Sequence, residues 1–156
     1  MKISAKLGAI GILAVFGAGI AIAQDNVDPA VKARKALMQL YAYNLGQLGS
    51  MAKEESPYDA EAAGNAAANL AALSMLDQST MWPAGTDSDS MEGSRALPKI
   101  WDNIDDVIMK AGALNEAAVA MEAAAGTDLA ALQGAIGPVG EACGACHKAY
   151  RQPNDQ

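Results

Sequence analysis

The stretch DLAALQGAIGPVGEACGACHKAYR, residues 128–151, decides the fold. Leu129, Leu132, Ile136, Val139, Cys143, Cys146 and Tyr150 recur in it at alternating steps of three and four. Residues at those steps lie on one side of an α-helix. The spacing therefore predicts one continuous helix with a single inward stripe, and both cysteines fall on that stripe. His147, the only histidine of the sequence, lies four residues beyond Cys143 and shares its side. Thr127 reads as the cap of this helix and Gly126 as the end of the one before it.

The same period recurs upstream. A first helix opens at Asp28 and Pro29, a favoured cap followed by a favoured first residue. Val31, Met38, Tyr41, Leu45 and Leu48 mark its inward face. A second is expected to be capped by Ser56, to start at Pro57 and to use Asp59 as a weak capping box. A third is expected from Leu97–Pro98, carrying Ile100, Trp101, Ile104, Val107 and Ile108 and continuing through an alanine tract that Gly126 ends. The segment STMWPAGTDSDSMEGSRA, residues 79–96, is rich in Gly, Ser and Asp and reads as a loop. No segment alternates polar and apolar residues as a strand would. The expected architecture is an all-α, antiparallel, up-down-up-down four-helix bundle in one domain, residues 24–156.

Composition agrees. A chain of 156 residues can bury one core. Hydrophobic residues make up 51% but aromatics only 4%, so that core must use small and aliphatic side chains. Residues 1–23 join a basic start, Lys2 and Lys6, to an uncharged apolar run ending Ala21-Ile22-Ala23. They read as a cleaved secretory signal. Losing those two of 11 basic residues takes the net charge from -7 to -9. So acidic a chain lacks the basic footprint of a nucleic-acid binder. The expected location is the periplasm, with no membrane association after cleavage.

Three devices use cysteines at this spacing. A redox dithiol normally sits at the start of a helix in a βαβ unit, whereas this pair sits at the end of a helix in an all-α chain. Export does permit a Cys143–Cys146 disulfide. A structural zinc site needs four ligands, and only three such residues are present. The third device is C-x-x-C-H as a c-type haem attachment, in which two thiols bond to the haem vinyl groups and the histidine turns to the iron. It uses all three residues, and a haem supplies the large flat apolar body that a chain poor in aromatics lacks.

With C-x-x-C-H close to the C-terminal end of a four-helix sequence, the chain resembles the class II c-type cytochromes, the group of cytochrome c′ and low-spin cytochrome c556. The resemblance rests on CGACHKAYR, on ARKALMQL in the first helix, on PYDAEAA opening the second and on Gly85-Thr86 followed by an acidic residue. It covers essentially all of the chain after residue 23. It implies one covalent haem c, with Cys143 and Cys146 as thioethers and His147 on the iron. It also implies Arg34 and Lys35 beside the haem propionates, Thr86 and Asp87 bordering the haem, and Arg151 near the proximal imidazole. Asp87 stands where Glu is commoner.

The residues speak separately for Arg34. It lies on the apolar stripe between Val31 and Met38, where a charge must be paired or must snorkel to the surface. A bidentate bond to a propionate suits the first case. With one histidine present, a sixth side-chain ligand to iron would be a methionine, and Met38 is the candidate. If Met38 ligates, the chain is a low-spin electron carrier with a redox partner protein. If Met38 only covers the iron, the haem is five-coordinate and takes nitric oxide or carbon monoxide. The resemblance also implies a possible homodimer through the first two helices. No nucleophile–base pair or phosphate loop marks an enzyme.

Overall fold

The computed structural model describes residues 27–153. The expected signal segment lies outside them. Five α-helices follow one another: α1 (Pro29–Ala52), α2 (Ala60–Ser74), α3 (Lys99–Asp102), α4 (Ile104–Ala125) and α5 (Leu129–Tyr150). A 3-10 turn at Ser79–Met81 lies in the long α2–α3 loop. The four long helices form a ring in which α1 packs on α2, α2 on α4, α4 on α5 and α5 on α1. This is the expected four-helix bundle. Among the described residues no helix is long and apolar enough to cross a membrane.

α1 begins as its sequence predicts, with the Asp28 carboxylate accepting from the Ala30 amide at 2.7 Å. The other starts differ. α2 begins at Ala60, capped by Asp59 through the Ala62 amide at 2.8 Å, not by Ser56. The Tyr58 hydroxyl donates to the Ala125 carbonyl at 2.9 Å, and this bond ties the segment before α2 to the end of α4. α5 is capped by Asp128, which accepts from Ala131 at 2.8 Å, not by Thr127.

The expected third helix is two helices, α3 and α4, separated at Asn103. In a continuous helix the Asn103 amide would bond the Lys99 carbonyl. Here the Asn103 side chain takes that carbonyl at 2.8 Å, while the backbone amide turns to Ile100 at 3.1 Å. Asparagine competes with helical backbone in this way.

The core is aliphatic: Leu48, Leu70, Met121, Leu132 and Val139 are nearly inaccessible. Ala63, Ala67, Ala118 and Ala125 are buried as well, so the alanine tracts serve as close helix contacts. A Cβ added to Gly126 would stand 3.4 Å from the Ala60 carbonyl oxygen, which shows how near α2 and α4 approach.

Two contacts fix the antiparallel register of α1 and α5. Gln133 donates to the Ala52 carbonyl at 2.8 Å. Ile136 faces Gly49, its Cδ1 3.9 Å from where a Cβ would stand. Three residues back along α1 thus match three forward along α5. Further along the same pair, Tyr41 lies close enough to Cys143 for the thiol to raise its pKa.

Candidate haem-binding site

Cys143, Cys146 and His147 occupy the last two turns of α5, and each is half-buried. The two cysteines are not joined in a disulfide. Burial pushes their pKa values up, so they stay uncharged. Burial, reinforced by Arg151 and Arg95, lowers the pKa of His147. The imidazole is then neutral, with a lone pair to offer. Among the described residues no cluster of three or more His, Cys, Asp or Glu side chains is arranged to hold a metal ion. A group held by the C-x-x-C-H run itself suits this donor set, and a zinc ion does not.

The end of α5 is clamped on two sides. The Tyr150 hydroxyl donates to Asp106 of α4 at 2.6 Å, and Lys110 bonds the other oxygen of Asp106 at 3.2 Å. Cys146 lies within electrostatic reach of both Lys110 and Asp106. On the other side the loop runs antiparallel to the chain end. The Leu97 amide donates to Tyr150, the Gln152 amide donates to Arg95, and Ala96 pairs with Arg151. Lys99 sits over the Tyr150 ring at 5.8 Å. These bonds fix the turn that carries His147.

Arg34 anchors the long loop from α1. One guanidinium nitrogen donates to Thr86 Oγ1 at 2.7 Å and to the Met81 carbonyl at 3.1 Å. The other donates to the Thr86 carbonyl at 2.7 Å and to Ser94 Oγ at 3.2 Å. The Trp82 ring lies 4.6 Å from its Cζ. Burial pushes the Arg34 pKa down, against the pull of Asp28. The guanidinium nevertheless stays charged.

The expected site residues therefore fall into distinct groups. Arg34 and Thr86 are bonded to each other. Asp87 is buried, and its carboxylate is turned onto its own loop, accepting from the Asp89 and Ser90 amides and the Ser90 hydroxyl. Lys35 is exposed on α1, and Arg151 is exposed at the end of α5. Met38 is not on the buried stripe proper: Leu37 is, and Met38 is 38% exposed. At about 100° per residue, Met38 lies about 70° from the centre of the stripe formed by Arg34, Leu37, Tyr41 and Leu48. Along the helix axis, however, the α1–α5 register brings it level with His147.

Sequence reasoning passed over Ser94, Trp82 and Arg95, because loop residues carry no period to mark which side they face. It read Tyr41 only as core. Tyr41 is 7% exposed, and its hydroxyl has no hydrogen-bond partner. Burial first, then Cys143, pushes its pKa up to about 12, with Gln78 opposing. The phenol stays protonated, a neutral donor between α1, Cys143 and the loop. An unpaired donor beside Cys143, with two uncharged thiols and a neutral imidazole on the last two turns of α5, fits a covalently attached haem.

Comparison with known proteins bears on these residues. The family model described as Cytochrome C′ matches residues 29–151. The chain is 51% identical over 134 residues to a cytochrome c-554 of Cereibacter sphaeroides, covering 85% of this chain and 88% of that one. It is 34% identical over 151 residues to a cytochrome c-556 of Agrobacterium fabrum, covering 94% and 96%. Its fold is similar to a solved cytochrome c′ from Rhodobacter Spheriodes, with TM-score 0.78, 39% identity and coverage of 80% and 96%. It is also similar to a variant of cytochrome c prime from Alcaligenes xylosoxidans solved with bound NO, with TM-score 0.69, 33% identity and coverage of 80% and 94%.

Proposed function

Because the chain belongs to the cytochrome c′ family, whose members carry one covalent c-type haem, we propose that it is a periplasmic monohaem electron carrier. In this reading Cys143 and Cys146 bond the haem as thioethers and His147 ligates the iron. The haem supplies a one-electron iron couple.

The residues of the chain set the conditions for that couple. His147 offers a neutral imidazole, and the Tyr150–Asp106 bond and the loop pairing at Ala96–Arg151 hold its helix turn still. Arg34 brings a positive charge to the propionate edge, with Lys35 beside it, and Thr86 and Asp87 form the loop border. Arg151 adds a charge on the imidazole side. Fixed surroundings favour electron transfer because little has to rearrange when the charge changes. The sequence offers no catalytic group to turn the carrier into an enzyme.

The observation that carries this reading is the register of α1 against α5. It sets the α1 turn of Met38 level with the α5 turn of His147, which supports Met38 as the residue that would face a haem held by His147. Methionine paired with histidine raises the haem potential. Optical spectra of the oxidised and reduced protein test the reading: a low-spin spectrum in both states supports it, and a high-spin spectrum rejects it.

One observation favours a second reading. Met38 is 38% exposed and stands at the edge of its stripe, so it is held less firmly than a core residue. If it only covers the iron, the chain takes nitric oxide or carbon monoxide; variants of the similar cytochrome c prime from Alcaligenes xylosoxidans are solved with NO and with carbon monoxide bound. Residues 1–23, read as a secretory signal, support export in either case, and the carrier would pass its electron to a redox partner protein. Leu40 and Tyr43, exposed on α1, are available to a homodimer through α1 and α2.

A further inference from the structure

Tyr41 Oη is the buried side-chain polar atom, among the described residues, that has no hydrogen-bond partner. The residue is 7% exposed. A buried donor left unpaired is unfavourable, while an apolar group of the same shape escapes that cost. Gln78 lies near enough to pull against the raised pKa of the phenol but completes no hydrogen bond to it, so the hydroxyl is open to an acceptor supplied from outside the polypeptide.

The location of that acceptor follows from the helix geometry. Tyr41 sits near the centre of the α1 stripe and neighbours Cys143 of α5 and Gln78 of the loop. Met38 lies three residues earlier, about 4.5 Å along the axis at about 1.5 Å per residue. Long helical side chains lean back over the turn N-terminal to their own Cα. The Tyr41 ring thus covers the turn that carries Leu37 and Met38. That turn is level with His147 in the α1–α5 register. Among its other residues Leu37 and Met38 have no donor, both terminal nitrogens of Arg34 are engaged by the loop, and Lys35 is on the exposed side of α1.

We infer that the Tyr41 hydroxyl donates a hydrogen bond to a small ligand at the sixth position of the haem iron. The ligand class is a diatomic whose outer atom carries a lone pair. The inference rests on the proposal that His147 holds the iron. It does not depend on whether Met38 ligates, since an incoming gas that displaces the sulfur meets the same phenol. It makes the distal side polar at one point, where the sequence alone implied an apolar face.

Carbon monoxide on the reduced holoprotein is the probe. Donation to its oxygen lowers the C–O stretching frequency and slows dissociation. Tyr41→Phe should load one haem like the wild type, raise the C–O frequency and speed carbon monoxide loss about fivefold, the equivalent of one hydrogen bond of about 1 kcal/mol. The wild type gives an answer without any variant: exchange into D2O should displace the C–O or Fe–C band. An unchanged frequency in Tyr41→Phe together with no isotope effect would overturn the inference and leave the hydroxyl to Gln78. A wild-type protein without haem at Cys143 and Cys146 would instead reject the functional reading beneath it.

Discussion

Gln133 of α5 donates to the Ala52 carbonyl of α1 at 2.8 Å, and one turn on Ile136 meets Gly49. Carried about three turns further along the pair, that register sets the backbone of Met38 level with that of His147. Met38→Ala is therefore the decisive substitution for ligation. A low-spin wild type should become high-spin and bind carbon monoxide more tightly, because no sulfur has to leave. The potential should fall with loss of the thioether. Optical spectroscopy and a redox titration measure both. A wild type that is already high-spin would establish the gas-binding reading. A variant that stays low-spin would exclude Met38 as the ligand.

The bundle was legible because its signals are periodic. Seven stripe positions in α5 and the Asp28–Pro29 start of α1 announce helices that formed as expected. What escaped the sequence depends on side chains that bond across it. Asn103 splits a helix by taking the Lys99 carbonyl, and Tyr58 delays α2 by bonding Ala125. The site divides in the same way. Cys143, Cys146 and His147 form a contiguous motif, readable by spacing. Arg34 was singled out because a charge sat on an apolar stripe. Its partners Thr86 and Ser94 lie more than fifty residues away in a loop, and Ser94 has nothing local to identify it.

Arg34 holds that loop by four donated bonds and by Trp82. Arg34→Ala should lower stability by about 3–5 kcal/mol, since bonds to a charged group contribute about 1.5–3 kcal/mol each and do not add fully. Arg34→Lys should recover little, because an ammonium cannot reproduce the planar fork. Ser94→Ala should cost about 1 kcal/mol. Denaturant unfolding of the holoprotein gives all three values. Equal stabilities for wild type and Arg34→Ala would show that the loop is held by other contacts.

The two thiols need not be equivalent. Cys143 packs against the core, while Cys146 faces the charged pair Asp106 and Lys110. Cys146→Ser should still mature with a single thioether, and Cys143→Ser should lower the yield of haem-bound protein more, because the thiol it removes is the one packed against the bundle core. Mass spectrometry of denatured protein should show one added haem in the wild type and no free thiol. An unmodified mass from cells competent in haem attachment would refute thioether bonding altogether.

The Tyr150–Asp106 bond makes stability depend on pH at both extremes, with opposite signs. The bond from Asp106 is the first cause that pushes the Tyr150 pKa up to about 12, from an ordinary 10.0. A raised pKa means that the folded chain keeps its proton where the unfolded chain has lost it. The associated stability is complete below pH 10.0 and is lost as pH rises toward about 12. Asp106 is held below its ordinary 3.8, first by Tyr150 and then by Lys110. Its stability is complete above that value and is lost as pH falls through the lowered one. Asp106→Asn should therefore flatten the acid arm and most of the alkaline arm. Tyr150→Phe should remove the alkaline arm but leave part of the acid arm, because Lys110 still pairs with Asp106 at 3.2 Å. Unfolding followed across pH for the three proteins separates these cases. The same bond clamps the turn of His147, so in the wild type the haem spectrum should change along with the alkaline loss of stability. A spectrum that stays constant until the whole chain unfolds would show that the loop pairing at Ala96 and Arg151 is enough to hold that turn.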